Sequence, residues 1–241
     1  ETQIKDFNPD VVGISIRLVH GFVLDEDAEF GTKHLDLRVR VKQIVDCVRR
    51  VSDAHVVLGG PGFNYYGPDW LEYLNLDYGL RGEADISFPS YLERLNKGGD
   101  IHSIPGCIYR VDGHFVKVPR EFVVSLDTTA FPAYQLFDLE NYYERDISPA
   151  IVTKRGCAFN CIYCPYSSLE GKHYRLKSPQ RVVDEIEHIY SIKPPKMISF
   201  CDNNFNVPNR HAQAICQEII DRKLDIAWGT GTIKPLMVDD D

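Results

Sequence analysis

Thr153-Lys154-Arg155-Gly156-Cys157-Ala158-Phe159-Asn160-Cys161-Ile162-Tyr163-Cys164-Pro165 follows directly on the strand-like run Ala150-Ile151-Val152-Thr153 and holds three of the seven cysteines, spaced C-x3-C-x2-C. A loop that wraps back on itself can aim three thiolates at one point, and soft sulfur donors favour an iron–sulfur cluster, zinc or copper(I). Three ligands on a four-iron cluster leave one iron open to a substrate or a cofactor. Two readings compete with a cluster: a zinc site completed by a residue such as His173, and plain buried thiols.

Downstream of this loop, Ser178-Pro179 supplies a cap and a first-turn proline to a helix that buries Val182, Val183, Ile186, Ile189 and Tyr190, and Pro194-Pro195 stops it. Residues 197–201 read as the next strand, followed by Asp202-Asn203-Asn204-Phe205. A helix with Ala212, Ile215, Cys216, Ile219 and Ile220 inward then leads to a strand-like run at 224–230. This βα repeat is the unit of a parallel barrel, whose chemistry sits at the carboxyl ends of its strands. Both the cysteine loop and Asp202-Asn203-Asn204 fall there. An Asx turn capping the next helix is the plainer reading of Asn203 and Asn204.

Upstream, strand and helix signals alternate over the first hundred residues. Residues 10–16 form a short apolar run of the kind a buried parallel strand shows. Leu37, Val41, Ile44, Val45, Val48 and Val51 recur at helical spacing, with Arg38, Lys42, Arg49 and Arg50 on the other face. A second strand at 54–58 breaks at Gly59-Gly60-Pro61-Gly62. A third at 78–80 runs into Arg81-Gly82-Glu83 and a helix stopped by Gly98-Gly99. The order β-α-β-α implies a parallel sheet with helices on both faces, and ligands of such sheets bind beyond the carboxyl ends of the strands. Gly59-Gly60 allows close approach of backbone to a ligand, and Gly82-Glu83 opens a helix whose free N–H groups suit a polar group.

The sequence predicts three segments: residues 1–100, a partial doubly wound, Rossmann-like α/β domain; residues 101–146, a linker; and residues 147–241, part of a (β/α) barrel. Asp112-Gly113 between two alternating runs predicts a β-hairpin inside the linker. Composition narrows the class. The 241 residues include 44% hydrophobic ones, ample for a core, and 27 basic against 35 acidic residues give a net charge of −8, which argues against nucleic acid as a partner. No apolar run reaches the roughly 18–20 residues that cross a bilayer and no signal peptide opens the chain, so a cytoplasmic protein is expected. An odd number of cysteines with three clustered fits a reducing compartment. Cys47, Cys107, Cys201 and Cys216 read as small buried hydrophobes.

The C-x3-C-x2-C loop, with Tyr163 before its last cysteine and Arg155-Gly156 ahead of its first, resembles the radical S-adenosylmethionine (radical SAM) superfamily. The resemblance implies a 4Fe-4S cluster on Cys157, Cys161 and Cys164, with S-adenosylmethionine (SAM) chelated to the fourth iron and cleaved to methionine and a 5'-deoxyadenosyl radical. It also implies a backbone contact of Tyr163 beside adenine, Phe159 and Ile162 shielding the cluster, and polar contacts to SAM from Asp202, Asn203 and Asn204. That last stretch is similar to an Asp-Asp-x-Phe motif, with Asn203 in place of the second aspartate. Gly13-Ile14-Ser15, Gly59-Gly60-Pro61 and Arg81-Gly82-Glu83 resemble the cobalamin-binding domain that precedes many radical SAM domains, which implies cobalamin contacts at Ser15, Gly59, Gly60, Gly82 and Glu83.

The family's opening strand, helix and strand have no counterpart before Gly13, and three barrel strands stand where the superfamily has six, so a fragment of a longer chain is expected. The implied function is reductive cleavage of SAM by a cobalamin-dependent enzyme, such as a methyltransferase acting on an unactivated carbon or phosphorus of a small-molecule substrate, with a flavodoxin- or ferredoxin-like electron donor. A radical SAM cyclase or rearrangement enzyme is an alternative. A methylthiotransferase-like RNA modifier is another, though it needs a second cysteine set and only Cys47 and Cys107 lie upstream. A zinc-stabilised binding module is the alternative from another class.

Overall fold

The computed structural model describes residues 1–17, 20–24 and 32–238. Two compact units divide the chain, Glu1–Val123 and Val124–Asp241. In the first, a short helix α1 (Thr2–Phe7) leads to β1 (Val11–Ser15), an antiparallel ribbon of β2 (His20–Leu24) and β3 (Thr32–Asp36), and then α2 (Leu37–Val51), β4 (His55–Gly59), α3 (Pro61–Leu74), β5 (Tyr78–Leu80) and α4 (Ala84–Lys97). The hairpin β6 (Cys107–Val111) and β7 (His114–Lys117) completes it. The sheet order is β1-β4-β5-β6-β7, parallel across β1, β4 and β5 and antiparallel thereafter.

Each helix of this unit starts or stops for a local reason. Asp36 caps α2 by accepting the Arg38 N–H at 2.9 Å, and Gly98 ends α4 in the left-handed conformation. Val45 of α2 and Phe63, Trp70, Leu71 and Leu74 of α3 cover Leu58 and Ile108 of the sheet. The hairpin pairs with this sheet: Tyr78, Gly79 and Leu80 lie opposite Tyr109, Ile108 and Cys107. Its apolar face supplies the reason, since Cys107 and Ile108 are buried on β5 and against α3 and α4. Helix α3 carries no clean periodicity, because Gly67 and Pro68 interrupt it beside a kink at Tyr66.

The second unit runs through α5 (Leu139–Glu144), β8 (Ala150–Ile151), β9 (Lys154–Arg155), α6 (Tyr166–Glu170), β10 (Arg175–Leu176), α7 (Pro179–Ile192), β11 (Ile198–Phe200), α8 (Asn209–Asp221) and β12 (Trp228–Thr230). Strands β8, β11 and β12 form a parallel sheet in the order β12-β11-β8. The Ser178 hydroxyl caps α7 by accepting the Arg181 N–H at 3.1 Å. Ile151, Ile198 and Phe200 on one sheet face meet Val182, Val183, Ile186 and Ile189 of α7 and Ile215 of α8. Each such side chain contributes roughly 1.5–3 kcal/mol by leaving water. Alternation along β11 turns Ile198 and Phe200 inward and Cys201 outward, so Cys201 is exposed and not the buried hydrophobe its neighbours suggest. Among the described residues, no helix is long and apolar enough to cross a membrane.

Phe200 is fully buried, its ring 4.8 Å from Phe205 and 5.4 Å from Trp228 between centroids. Phe200→Ala is expected to cost about 3–5 kcal/mol, read as a lower urea midpoint at unchanged slope in the full-length protein.

Candidate functional site

The carboxyl edge of the first sheet gathers three of the residues singled out in the sequence. Ser15 pairs in register with Gly59, the Gly59 carbonyl accepts the Ile16 N–H at 2.8 Å, and the Ile16 carbonyl accepts the Gly62 N–H at 2.7 Å. Gly60 has φ +92°, and a Cβ there would stand 2.7 Å from the Ile16 carbonyl oxygen and from Ser15 Oγ. Only glycine fits, which keeps the backbone bare where a ligand can approach. At the end of β5, the Gly82 N–H donates to Asn64 Oδ1 at 2.7 Å and Glu83 Oε2 accepts the Val123 N–H at 2.8 Å. Asn64, a polar residue on the first turn of α3, had no signal in the sequence beyond its place after the glycine pair.

In the second unit the cysteine loop leaves the sheet just past β8. Strands β9 and β10 close its base, pairing Arg155 with Arg175 and Lys154 with Leu176, and the Thr153 carbonyl accepts the Lys177 N–H at 2.9 Å. Gly156 opens the loop at φ +92°, and a Cβ there would fall 2.1 Å from the His173 carbonyl oxygen. Cys157 is buried, with its N–H donated to the Gly171 carbonyl at 3.0 Å and its sulfur 4.0 Å from the Tyr174 hydroxyl. Burial, and then the neighbouring Cys157, push that hydroxyl up to about 12. Cys161 is exposed and Cys164 half-buried, joined by a turn in which the Cys161 carbonyl accepts the Cys164 N–H at 3.1 Å. Ile162 and Tyr163 stand out from the loop almost wholly exposed. The Phe159 ring carries the Lys234 ammonium 3.6 Å from its centroid.

The loop after β11 is tied to the cysteine loop at several points. The Asp202 carboxylate is buried and accepts the Thr153 N–H at 2.8 Å, the Thr153 hydroxyl, and Lys154 Nζ at 3.0 Å. Lys154 Nζ also donates to the Phe205 carbonyl at 2.9 Å. Burial pulls the Lys154 ammonium below its usual range, against the opposing pull of Asp202. Asp202 thus faces inward, where its oxygens join two strand ends. Asn203 Nδ2 donates to Glu170 Oε2 at 3.1 Å, and that same oxygen accepts the Gly156 N–H at 3.1 Å. Asn204 is half-buried beside it. Asn206 holds Lys234 through both its backbone N–H and its carbonyl, at 2.8 and 2.9 Å. Lys154, Glu170 and Lys234 lay outside the sequence reading, since each becomes notable only through a partner far along the chain.

Among the described residues, no three His, Cys, Asp or Glu side chains stand close enough together to hold a metal ion. The loop therefore carries three thiols without drawing them to one point. The donor set still fits an iron–sulfur cluster: three sulfur ligands, none in a disulfide, on a loop whose two ends are pinned. A cysteine loop at the first strand of a parallel βα repeat, and a doubly wound sheet with glycines at its carboxyl edge, are the arrangement that the sequence resemblance to the class of cobalamin-dependent radical SAM enzymes implies.

Relatives and solved structures agree with that class. No family model matches the chain. It is 28% identical over 228 residues to an uncharacterized methyltransferase of Pyrococcus horikoshii, covering 93% of this chain and 46% of the relative. It is 24% identical over 259 residues to the cytidylyl-2-hydroxyethylphosphonate methyltransferase of Streptomyces wedmorensis, covering 94% and 45%. The radical SAM methyltransferase TsrM from Kitasatospora setae, solved with its tryptophan substrate and a SAM analogue, superposes with a TM-score of 0.74 at 26% identity, over 92% of this chain and 43% of that one. TsrM has also been solved with cobalamin and a 4Fe-4S cluster bound. The chain thus spans somewhat under half the length of the curated relatives it matches first.

Proposed function

We propose that Cys157, Cys161 and Cys164 hold a 4Fe-4S cluster, that SAM lies between it and the loop after β11, and that cobalamin lies on the edge formed by Ser15, Gly59, Gly60, Gly82 and Glu83. The cysteine loop carries this reading: three thiols leave the carboxyl end of β8 beside the end of β11, where a barrel of this kind does its chemistry. Asn203 and Asn204 offer polar groups to SAM, Phe159 and the Tyr163 backbone flank it, and Asp202 contributes by fixing the two strand ends. When bound, the cluster supplies the electron that splits SAM and cobalamin carries a methyl group. The whole protein is then a methyltransferase acting on an unactivated carbon or phosphorus of a small molecule. A flavodoxin- or ferredoxin-like partner in the cytoplasm reduces it, and the net charge of −8 disfavours a nucleic-acid substrate.

Anaerobic reconstitution of the full-length protein tests the cluster. The expected product is brown, with about four irons and four sulfides per chain; a colourless protein holding one zinc overturns the assignment. Cobalamin titration tests the other edge. Gly60→Val would drive its Cβ onto the Ile16 carbonyl and Ser15 Oγ, at a cost of about 1–3 kcal/mol in strain. It is expected to weaken cobalamin retention at least about ten-fold while iron content stays at the wild-type value. Equal retention by both proteins removes Gly60 from the cobalamin edge.

A further inference from the structure

We infer that Glu170 is a positioning residue that fixes the Asn203 amide with its oxygen presented to the ligand. A carboxylate offers acceptors, whereas an amide has a donor end and an acceptor end. Glu170 Oε2 lies 3.1 Å from Asn203 Nδ2 and 3.1 Å from the Gly156 nitrogen. With that carboxylate on one side, the amide's NH2 must face Glu170, and Oδ1 is turned away from it.

The neighbouring side chain cannot supply the same acceptor. Asp202 is buried and spends its oxygens on Thr153 and Lys154. Asn203 is partly buried at the carboxyl end of β11, so its Oδ1 is the fixed acceptor of that loop toward a hydrogen-bond donor such as the ammonium or a ribose hydroxyl of SAM. Glu170 is itself anchored within the cysteine loop, its backbone carbonyl accepting Arg175 Nη2 at 2.7 Å. One carboxylate therefore ties the backbone just before Cys157 to the orientation of a group on the neighbouring strand end. A ligand spanning both loops would sense the register between them.

This inference rests on the reading of the site as one for SAM, and SAM affinity measured without turnover separates the two. The full-length protein is reconstituted anaerobically and SAM binding is followed by equilibrium dialysis, with thermal unfolding as the check on folding. Glu170→Ala frees the amide to rotate and is expected to raise the Kd for SAM about ten-fold. Glu170→Gln keeps an oxygen acceptor for both donors and is expected to stay within about three-fold of wild type.

Asn203→Asp alone sets two carboxylates against each other and is expected to weaken binding. The double variant Glu170→Ala/Asn203→Asp carries an acceptor at position 203 whichever way it turns. It is expected to return to within about three-fold of wild type. A double variant as weak as Glu170→Ala, or a Glu170→Ala that binds like wild type, overturns the positioning role and leaves Glu170 as a brace for Gly156. A wild-type protein that takes up iron but binds no SAM overturns the reading of the site itself.

Discussion

Replacing Cys157 with alanine will empty the protein of its cluster, with iron falling from about four per chain to below one and the brown absorbance lost. The expectation follows from where the thiol sits. Cys157 is the buried cysteine of the loop, one residue past Gly156, with its backbone fixed by Gly171 and its sulfur beside Tyr174. It is thus the thiol whose position depends least on what is bound. Cys161 and Cys164 lie further along, on the exposed turn, and their alanine variants are expected to lose iron as well. Cys201 supplies the control: it is exposed at the end of the next strand, 3.7 Å from the Ser199 hydroxyl, and Cys201→Ala should leave iron unchanged. Full iron in Cys157→Ala, or equal loss in Cys201→Ala, would remove the loop from its assigned role.

The parts of this architecture that could be read from sequence are those encoded by neighbours along the chain. The strands at Val11–Ser15 and His55–Gly59, the helix begun by Ser178-Pro179 and the cysteine loop all announce themselves within a dozen residues, through periodicity, caps and spacing. What escaped depends on partners far apart. The hairpin at 107–117 has the local signature of a free-standing element, yet its apolar face finds β5 and extends the first sheet. Helix α3 was hidden because aromatic residues with a glycine and a proline give no clean moment, although Phe63 and Trp70 anchor it.

At the site, Asp202 shows the same limit in a sharper form. Its sequence context, a polar run at a strand end, is that of a ligand contact. Its environment is that of a buried counterion, decided by a lysine 48 positions earlier. An acid in such a run can serve either end, and only the three-dimensional partner distinguishes them.

Lys154→Met should rank with Phe200→Ala among the most damaging changes outside the cysteines, at about 3–5 kcal/mol, because it strands a buried carboxylate. Lys154 and Asp202 have side chains only 2% and 0% exposed and meet at 3.0 Å, so removing the ammonium leaves Asp202 charged with no counterion in contact and the Phe205 carbonyl without its donor. A buried ion pair is weak evidence of net stabilisation, however, since its desolvation cost offsets most of the attraction. The double variant Lys154→Met/Asp202→Asn therefore carries the discriminating expectation. Asparagine keeps an oxygen to accept the Thr153 N–H, its NH2 can donate to the Thr153 hydroxyl, and no charge remains inside. Stability measured by urea unfolding should recover most of what the single variant loses. If the double variant is as unstable as Lys154→Met alone, the loss comes from the Phe205 carbonyl left without its donor and not from an uncompensated charge.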